Sequence, residues 1–240
     1  DWYWQRNYIR GTTLYDEALK QGKHVAALLW PVTAKSEITW NLPEIFANRR
    51  WTNQILTSAA NGTVGYQLML NHKFGKLRDG IRQPALDNFV HTSLKYTLKT
   101  YRPDLTLVHF TDLDTQRHHY GVHSEEAAAA IKRHDERIGE LMHLLHQNRM
   151  SVKRDTTVII LGDHSQLDVR NVILINKLLR EQGYLKVQNG RVTEWEAYCQ
   201  NCDGSAYIYI KKEGMDRDEY LRVKNGVYDW LCAMKNDPDN

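Results

Sequence analysis

The sequence predicts an α/β protein with a mostly parallel central sheet flanked by helices and a small β-hairpin insertion. Two short apolar runs, 105–110 and 158–161, are rich in branched side chains and lack polar alternation. Such runs are typical of strands buried on both faces of a parallel sheet. A third indication is the order helix, glycine, strand over residues 12–30, which is one half of a β-α-β unit. We therefore expect one α/β domain over residues 1–240.

The first helix is expected to begin at a cap formed by Thr12 or Thr13 and to end at Gly22. A buried strand is predicted next, over residues 23–30. The stretch 33–80 is rich in Asn, Trp and Gly, which predicts an irregular loop or lid segment with some local helix.

Three further helices follow from apolar spacing and from their end signals. One begins at Pro84 and runs to about Tyr101, and a long one is capped by Ser124. A third is expected over 169–182, with Gly183 ending it.

The C-terminal part of the chain predicts a hairpin, a strand and a helix. Asn189 and Gly190 form the strongest short hairpin signal in the sequence, which predicts a hairpin over 184–198. Residues 205–211 alternate as a strand does, and 216–234 have the spacing of an amphipathic helix.

Acidic and imidazole side chains follow the two apolar runs. Asp114 and His118 are four residues apart across a predicted loop, and Asp163 is adjacent to His164. In open α/β sheets, chemistry gathers beyond the carboxyl ends of the strands. Carboxylate oxygen and imidazole nitrogen together suit zinc and similar divalent ions. The four side chains are therefore expected to converge on a metal site, with the neighbouring His119 pointing elsewhere.

Four segments of the chain resemble the type I phosphodiesterase/nucleotide pyrophosphatase family of the alkaline phosphatase superfamily. They are DLDTQRHHYGVHSEEAAAAIKRHDERIGELMHLL, TTVIILGDHS, HVAALLWPVTAKSEITWNLPE and GSAYIYI. The resemblance implies an alkaline-phosphatase-like core and a metal-dependent phosphohydrolase that acts on a small phosphate ester or nucleotide.

The resemblance also implies two divalent ions, zinc first and manganese as the alternative. Asp114 and His118 would bind one ion, and Asp163 and His164 the other. Ser165 stands where the family usually has glycine, a departure that does not touch a ligand.

The family's Thr or Ser nucleophile and a further Asp lie upstream of all the matched segments, and one more ligating His lies downstream. The chain is thus expected to be a fragment that binds metal weakly, with empty or partly filled sites. It is expected not to hydrolyse phosphodiesters alone, although its parent would.

Two other functions stay open at this point. One is a non-catalytic binding or structural module. The other is a single-metal hydrolase of another family, with Asp114, His118 and His164 as its three ligands. Metal stoichiometry separates the three cases: two ions, none, or one.

Composition excludes some classes of function. The net charge of +3, without a Lys/Arg run, argues against a nucleic-acid polymer as partner, and no apolar stretch is long enough to span a membrane. Cys199 and Cys202 form a lone C-x-x-C, and with one further Cys they indicate free thiols and a cytoplasmic protein. The sequence leaves the oligomeric state open.

Overall fold

A three-stranded parallel sheet lies at the centre of the N-terminal part of the chain. Strand β1 (Val25–Leu28) lies between β2 (Trp40–Leu42) and β3 (Leu105–Val108) and runs parallel to both. All four β1 side chains are fully buried, as expected for a central strand of a parallel sheet. The mixed α/β architecture predicted from the sequence is confirmed, and it is consistent with an alkaline-phosphatase-like fold.

The computed structural model describes residues 3–47, 51–148, 150, 155–202 and 204–235. The chain divides into two compact units, Asp1–Asp168 and Val169–Asn240. In the first unit the helices are α1 (Leu14–Lys20), α2 (Gln54–Ala59), α3 (Val64–Phe74), α4 (Ala85–Thr100), α5 (Asp112–Tyr120) and α6 (Glu125–Gln147), with 3-10 turns at Arg6–Tyr8 and Gly75–Leu77.

Helix α4 supplies most of the core of the first unit. Its apolar residues recur on one face at helical spacing, as predicted, and all of them are buried: Leu86, Phe89, Val90, Leu94 and Leu98. They form one cluster with Ala26 and Leu28 of β1 and with Leu144 and Leu145 of α6. This packing fixes the helix against the sheet that leads into the candidate site.

The stretch 33–80, predicted to be irregular with some local helix, contains β2, α2 and α3. Asn53 begins α2 with a side-chain cap, because its Oδ1 accepts from the amides of Ile55 and Leu56. Asn41 in β2 is buried and donates to the carbonyl of Thr33 at 2.6 Å. Buried polar contacts of this kind give order to a segment that lacks an apolar period.

The second apolar run is not a strand, which corrects the prediction made for residues 156–165. Ile159, Ile160 and Leu161 are 76%, 65% and 66% exposed, and in the described chain the sheet ends at β3. A strand exists only where it pairs with another edge, so β propensity is decided by context. Here the segment forms no strand pairing with the described residues. Within the run, only Val158 packs against the core cluster.

The second unit consists of α7 (Ile175–Glu181), the hairpin β4 (Leu185–Gln188) and β5 (Arg191–Trp195), the antiparallel pair β6 (Ala197–Cys202) and β7 (Ser205–Ile210), and α8 (Arg217–Lys235). The hairpin turns at Asn189 and Gly190, both at positive φ, as the sequence predicted. The helix expected over 169–182 begins only at Ile175. Residues before it, such as Val172 at 76% exposure, bury no face that would stabilise a helix.

No helix in the described ranges combines the length and apolar character needed to cross a membrane. The three cysteines are free thiols, of which Cys199 is buried and Cys202 is exposed.

A buried histidine on α4 makes the stability of the fold sensitive to acid. The side chain of His91 is 8% exposed and its Nδ1 lies 3.9 Å from Glu140 Oε2. Its Nε2 has no hydrogen-bond partner among the described residues. Burial, with a contribution from the Lys95 charge, lowers the pKa of His91 from 6.5 to about 4, although Glu140 opposes the shift.

The pKa of His91 is lower in the folded state than in the unfolded state. Its contribution to the stability of the fold is therefore complete above the unfolded-state pKa of 6.5 and is lost as the pH falls toward the folded-state pKa of about 4. Between pH 7 and pH 5 the free energy of unfolding should fall by roughly 1–2 kcal/mol from His91 alone. Urea unfolding of the wild type and of His91→Phe at both pH values measures this contribution. Identical pH dependence in the two proteins would contradict it.

Candidate functional site

Asp114 and His118 lie on α5, directly after β3. This segment was predicted to be a loop, but it is a helix, so a spacing of four residues places both side chains on one face. His118 Nε2 lies 3.4 Å from Asp114 Oδ1. His119 is directed differently, because its Nδ1 lies 2.8 Å from the carbonyl oxygen of Thr115. The prediction that His118 rather than His119 faces Asp114 is confirmed.

Asp163 and His164 lie in the unpaired segment that replaces the predicted strand. His164 Nε2 is 3.5 Å from Asp163 Oδ2 and 4.0 Å from Asp114 Oδ1. The two Asp–His pairs therefore meet beyond the carboxyl end of β3, which is an outer strand of the sheet. The structure brings the four predicted side chains together, although a strand end is not what positions the second pair.

The distances within each pair can be compared with those of a zinc site. Two atoms bound to one tetrahedral zinc ion lie about 3.4 Å apart, because Zn–O and Zn–N bonds are about 2.1 Å long. The Asp114–His118 and Asp163–His164 distances of 3.4 and 3.5 Å have this separation. Within the described ranges, no group of three or more His, Cys, Asp or Glu side chains is arranged to hold a metal ion.

The family model of type I phosphodiesterase/nucleotide pyrophosphatase proteins matches residues 1–237 of the chain. The chain belongs to this family. The match confirms the assignment made from the sequence motifs. No curated protein and no solved structure matches the chain. Members of the type I phosphodiesterase/nucleotide pyrophosphatase family are phosphoric ester hydrolases that act on small nucleotides and phosphate esters, and all the side chains described above lie within the matched range.

In this phosphodiesterase-family chain, the structure adds two residues that the sequence analysis missed. His109 follows β3 and its Nε2 lies 3.8 Å from Asp163 Oδ2. Glu44 follows β2 and is buried. Burial raises the pKa of Glu44; His109 opposes that rise, whereas the carboxylates of Asp163 and Asp114 add to it. Both residues follow the carboxyl ends of strands of the same parallel sheet, β2 and β3, a signal that could have identified them.

A further side chain orients the carboxylate at the centre of the cluster. Gln166 Nε2 donates to Asp114 Oδ1 at 3.1 Å. Nearby, Asp168 Oδ1 accepts from the amide of Val122 at 2.9 Å, just after α5 ends. The segment that carries Asp163 and His164 is therefore hydrogen-bonded near the start of α5, at Asp114, and just after its end, at Val122.

Beneath the site, α5 begins in a buried ionic network. Asp112 is fully buried and accepts from Arg133 Nε at 2.7 Å and from Arg133 Nη2 at 3.0 Å. Burial disfavours the charged carboxylate, but the bonds from Arg133 and Gln116 and the nearby Arg137 outweigh it, so the pKa of Asp112 lies below its ordinary value. The first residue of α5 is thus held as an anion in the protein interior.

Proposed function

We propose that this chain binds two divalent metal ions that serve the hydrolysis of phosphoric esters. Asp114 and His118 hold one ion, and Asp163 and His164 hold the other, with zinc as the expected metal and manganese as the alternative. The observation that supports this most is the meeting of two Asp–His pairs from separate segments, each at the spacing of two ligands of one ion. Carboxylate and neutral imidazole are a donor set suited to zinc.

The contacts of His164 favour ligation through Nε2. Its Nδ1 lies 3.2 Å from the carbonyl oxygen of Ser165. A ring that donates Nδ1–H to a carbonyl leaves the lone pair of Nε2 free, and that nitrogen faces Asp163 and Asp114. Gln166 donates to the Asp114 carboxylate from outside the pair, the role that outer partners take at metal sites.

The ions would supply positive charge that polarises the phosphoryl oxygens and neutralises the leaving oxygen. The side chains of the two pairs would hold those ions in place. Because protons compete with the metal for the imidazole nitrogens, metal affinity should fall as the pH is lowered. The substrate is a small phosphate ester or a nucleotide, as it is throughout the family.

No Thr or Ser of the chain stands in a segment that resembles the family's nucleophile segment. Thr111 is close to the site in sequence. Its hydroxyl accepts from Gln83 Nε2 at 2.7 Å and makes no capping hydrogen bond to the amides of α5. Without an activated hydroxyl the covalent route to hydrolysis is closed. We therefore propose that this chain, assayed alone, binds metal weakly and does not turn over phosphodiesters.

Replacing His118 by Ala should abolish one of two zinc-binding events, because it removes one of only two protein ligands of that ion. The loss should exceed the roughly 10–100-fold that follows removal of an outer partner alone. Zinc titration calorimetry, with chelator competition, measures stoichiometry and affinity. His119→Ala is the matched control, since the adjacent imidazole contacts Thr115 and not Asp114.

Binding of no zinc by the wild type would favour the structural module, and binding of one ion would favour the single-metal hydrolase. The same preparations, given zinc or manganese and bis(p-nitrophenyl) phosphate at neutral to alkaline pH, should show no turnover. Turnover that disappears in Asp163→Ala would contradict the proposed inactivity of this chain.

A further inference from the structure

Two helices of this chain begin with the same four-residue pattern, Thr-x-x-Asp, at 13–16 and at 111–114. In both, Thr is the N-cap and Asp is the third helical residue, which is the arrangement of a capping box. In α1 the box is closed: Asp16 Oδ2 accepts from the Thr13 amide at 2.7 Å, and Thr13 Oγ1 accepts from the Asp16 amide at 3.2 Å. The same two residue types stand at the same two positions of α5.

In α5 the box is open. Thr111 makes no side-chain cap bond. Asp114, which would close the box, has its Oδ1 3.4 Å from His118 Nε2 and accepts from Gln166 at 3.1 Å. In a closed capping box the Asp114 carboxylate would accept from the Thr111 amide. In α5 it is instead directed to the candidate metal site.

The Thr111 amide, which Asp114 would accept from in a closed box, is already engaged by α4. Asp87 Oδ1 accepts from the Thr111 amide at 3.1 Å, and Asp87 Oδ2 accepts from the Asp112 amide at 3.0 Å. Gln83 Nε2 donates to Thr111 Oγ1 at 2.7 Å and to Asp87 Oδ1 at 2.8 Å. These amides are among the four at a helix start that have no partner inside the helix. Asp87 therefore caps α5 from a different helix.

The position of Asp87 is determined by the protein interior. The residue is fully buried, and Arg137 Nη1 lies 3.8 Å from its Oδ2. The same Arg137 nitrogen lies 3.5 Å from Asp112 Oδ2, and Arg133 binds Asp112 from the other side. Two carboxylates thus share two guanidinium groups, which is the kind of compensation that a buried charge requires. Burial raises the pKa of Asp87, and the bonds from Thr111, Gln83 and Asp112, the charge of Arg137 and the dipole at the start of α5 oppose that rise.

We propose that Asp87 is a positioning residue for the metal site: by capping α5 from α4, it keeps Asp114 out of a capping box and free to bind an ion with His118. This inference rests on the proposed function. It means that the metal affinity of the Asp114–His118 pair depends on Asp87, a residue that does not itself bind the ion. Gln83 assists by occupying the Thr111 hydroxyl.

The test is Asp87→Asn, which keeps the shape of the side chain but replaces one acceptor oxygen by a donor. The zinc affinity of the Asp114–His118 ion should fall by roughly 10–100-fold, the range for loss of an outer partner. The ion on Asp163 and His164 should be retained, a split that general destabilisation would not produce. Leu86→Ala, next to Asp87 and buried in the core, is the control that lowers stability without touching the cap.

A crystal structure of metal-free Asp87→Asn separates this inference from the proposed function. The Asp114 carboxylate should there accept from the Thr111 amide, as Asp16 does from Thr13. If Asp114 still faces His118, or if Leu86→Ala weakens zinc binding as much, the inference is wrong. A wild type that binds no zinc would refute the proposed function, and the crystal structure would still decide the position of Asp114.

Gln83→Ala covers the case in which Asp87→Asn does not fold. It frees the Thr111 hydroxyl and removes one bond to Asp87 but keeps the Asp87 carboxylate and its bonds from α5, so zinc affinity should fall in the same direction by a smaller factor. Unchanged affinity and an unchanged Asp114 in this variant would also overturn the inference.

Discussion

Replacing Arg137 by Met is expected to lower the free energy of unfolding by about 3–5 kcal/mol, the range for breaking a buried ion pair. The Arg137 side chain is 6% exposed and lies 3.5 Å from Asp112 and 3.8 Å from Asp87. It also donates to Asn88 Oδ1 at 2.9 Å. Met fills much of the same volume, but it leaves two buried carboxylates with Arg133 as the remaining guanidinium.

The matched control is Lys95→Met, which breaks an ion pair between the same two helices, α4 and α6. Lys95 Nζ lies 2.5 Å from Glu140 Oε2, but the Glu140 side chain is 58% exposed. An exposed pair contributes about 1 kcal/mol or less, because water and salt screen it. Urea unfolding followed by circular dichroism measures both. Equal losses in the two variants would show that the buried network does not stabilise the fold as described.

Leu94→Ala should cost about 2–5 kcal/mol, because the surrounding core closes only partly around a removed side chain. Leu94 is 1% exposed and lies in the cluster that joins α4 to β1 and α6. Leu68→Ala on α3, where the side chain is 50% exposed, provides the comparison and should cost about 1 kcal/mol or less. A loss below that of Leu68→Ala would mean that this cluster is not the core of the first unit.

The elements that the sequence predicted well are those whose signals are local. Helix α4 has a complete apolar face, and the Asn189-Gly190 turn has the backbone conformation that its residues favour. The family, too, followed from short motifs, and the same motifs singled out Asp114, His118, Asp163 and His164 as candidate metal ligands. Each of these signals is contained within a few consecutive residues.

Other features were decided only when remote segments met. The run 158–161 has strand composition, yet no strand edge among the described residues pairs with it. The segment 112–120 is a helix although its pattern predicted a loop, because Asp87 satisfies the amides at its start. The same Thr-x-x-Asp pattern closes a box in α1 and leaves Asp114 free in α5. The sequence by itself determined the family and singled out the candidate acidic and imidazole side chains, and the tertiary structure decided where they point, because buried amides and carboxylates take whichever partner the packing of distant helices brings to them.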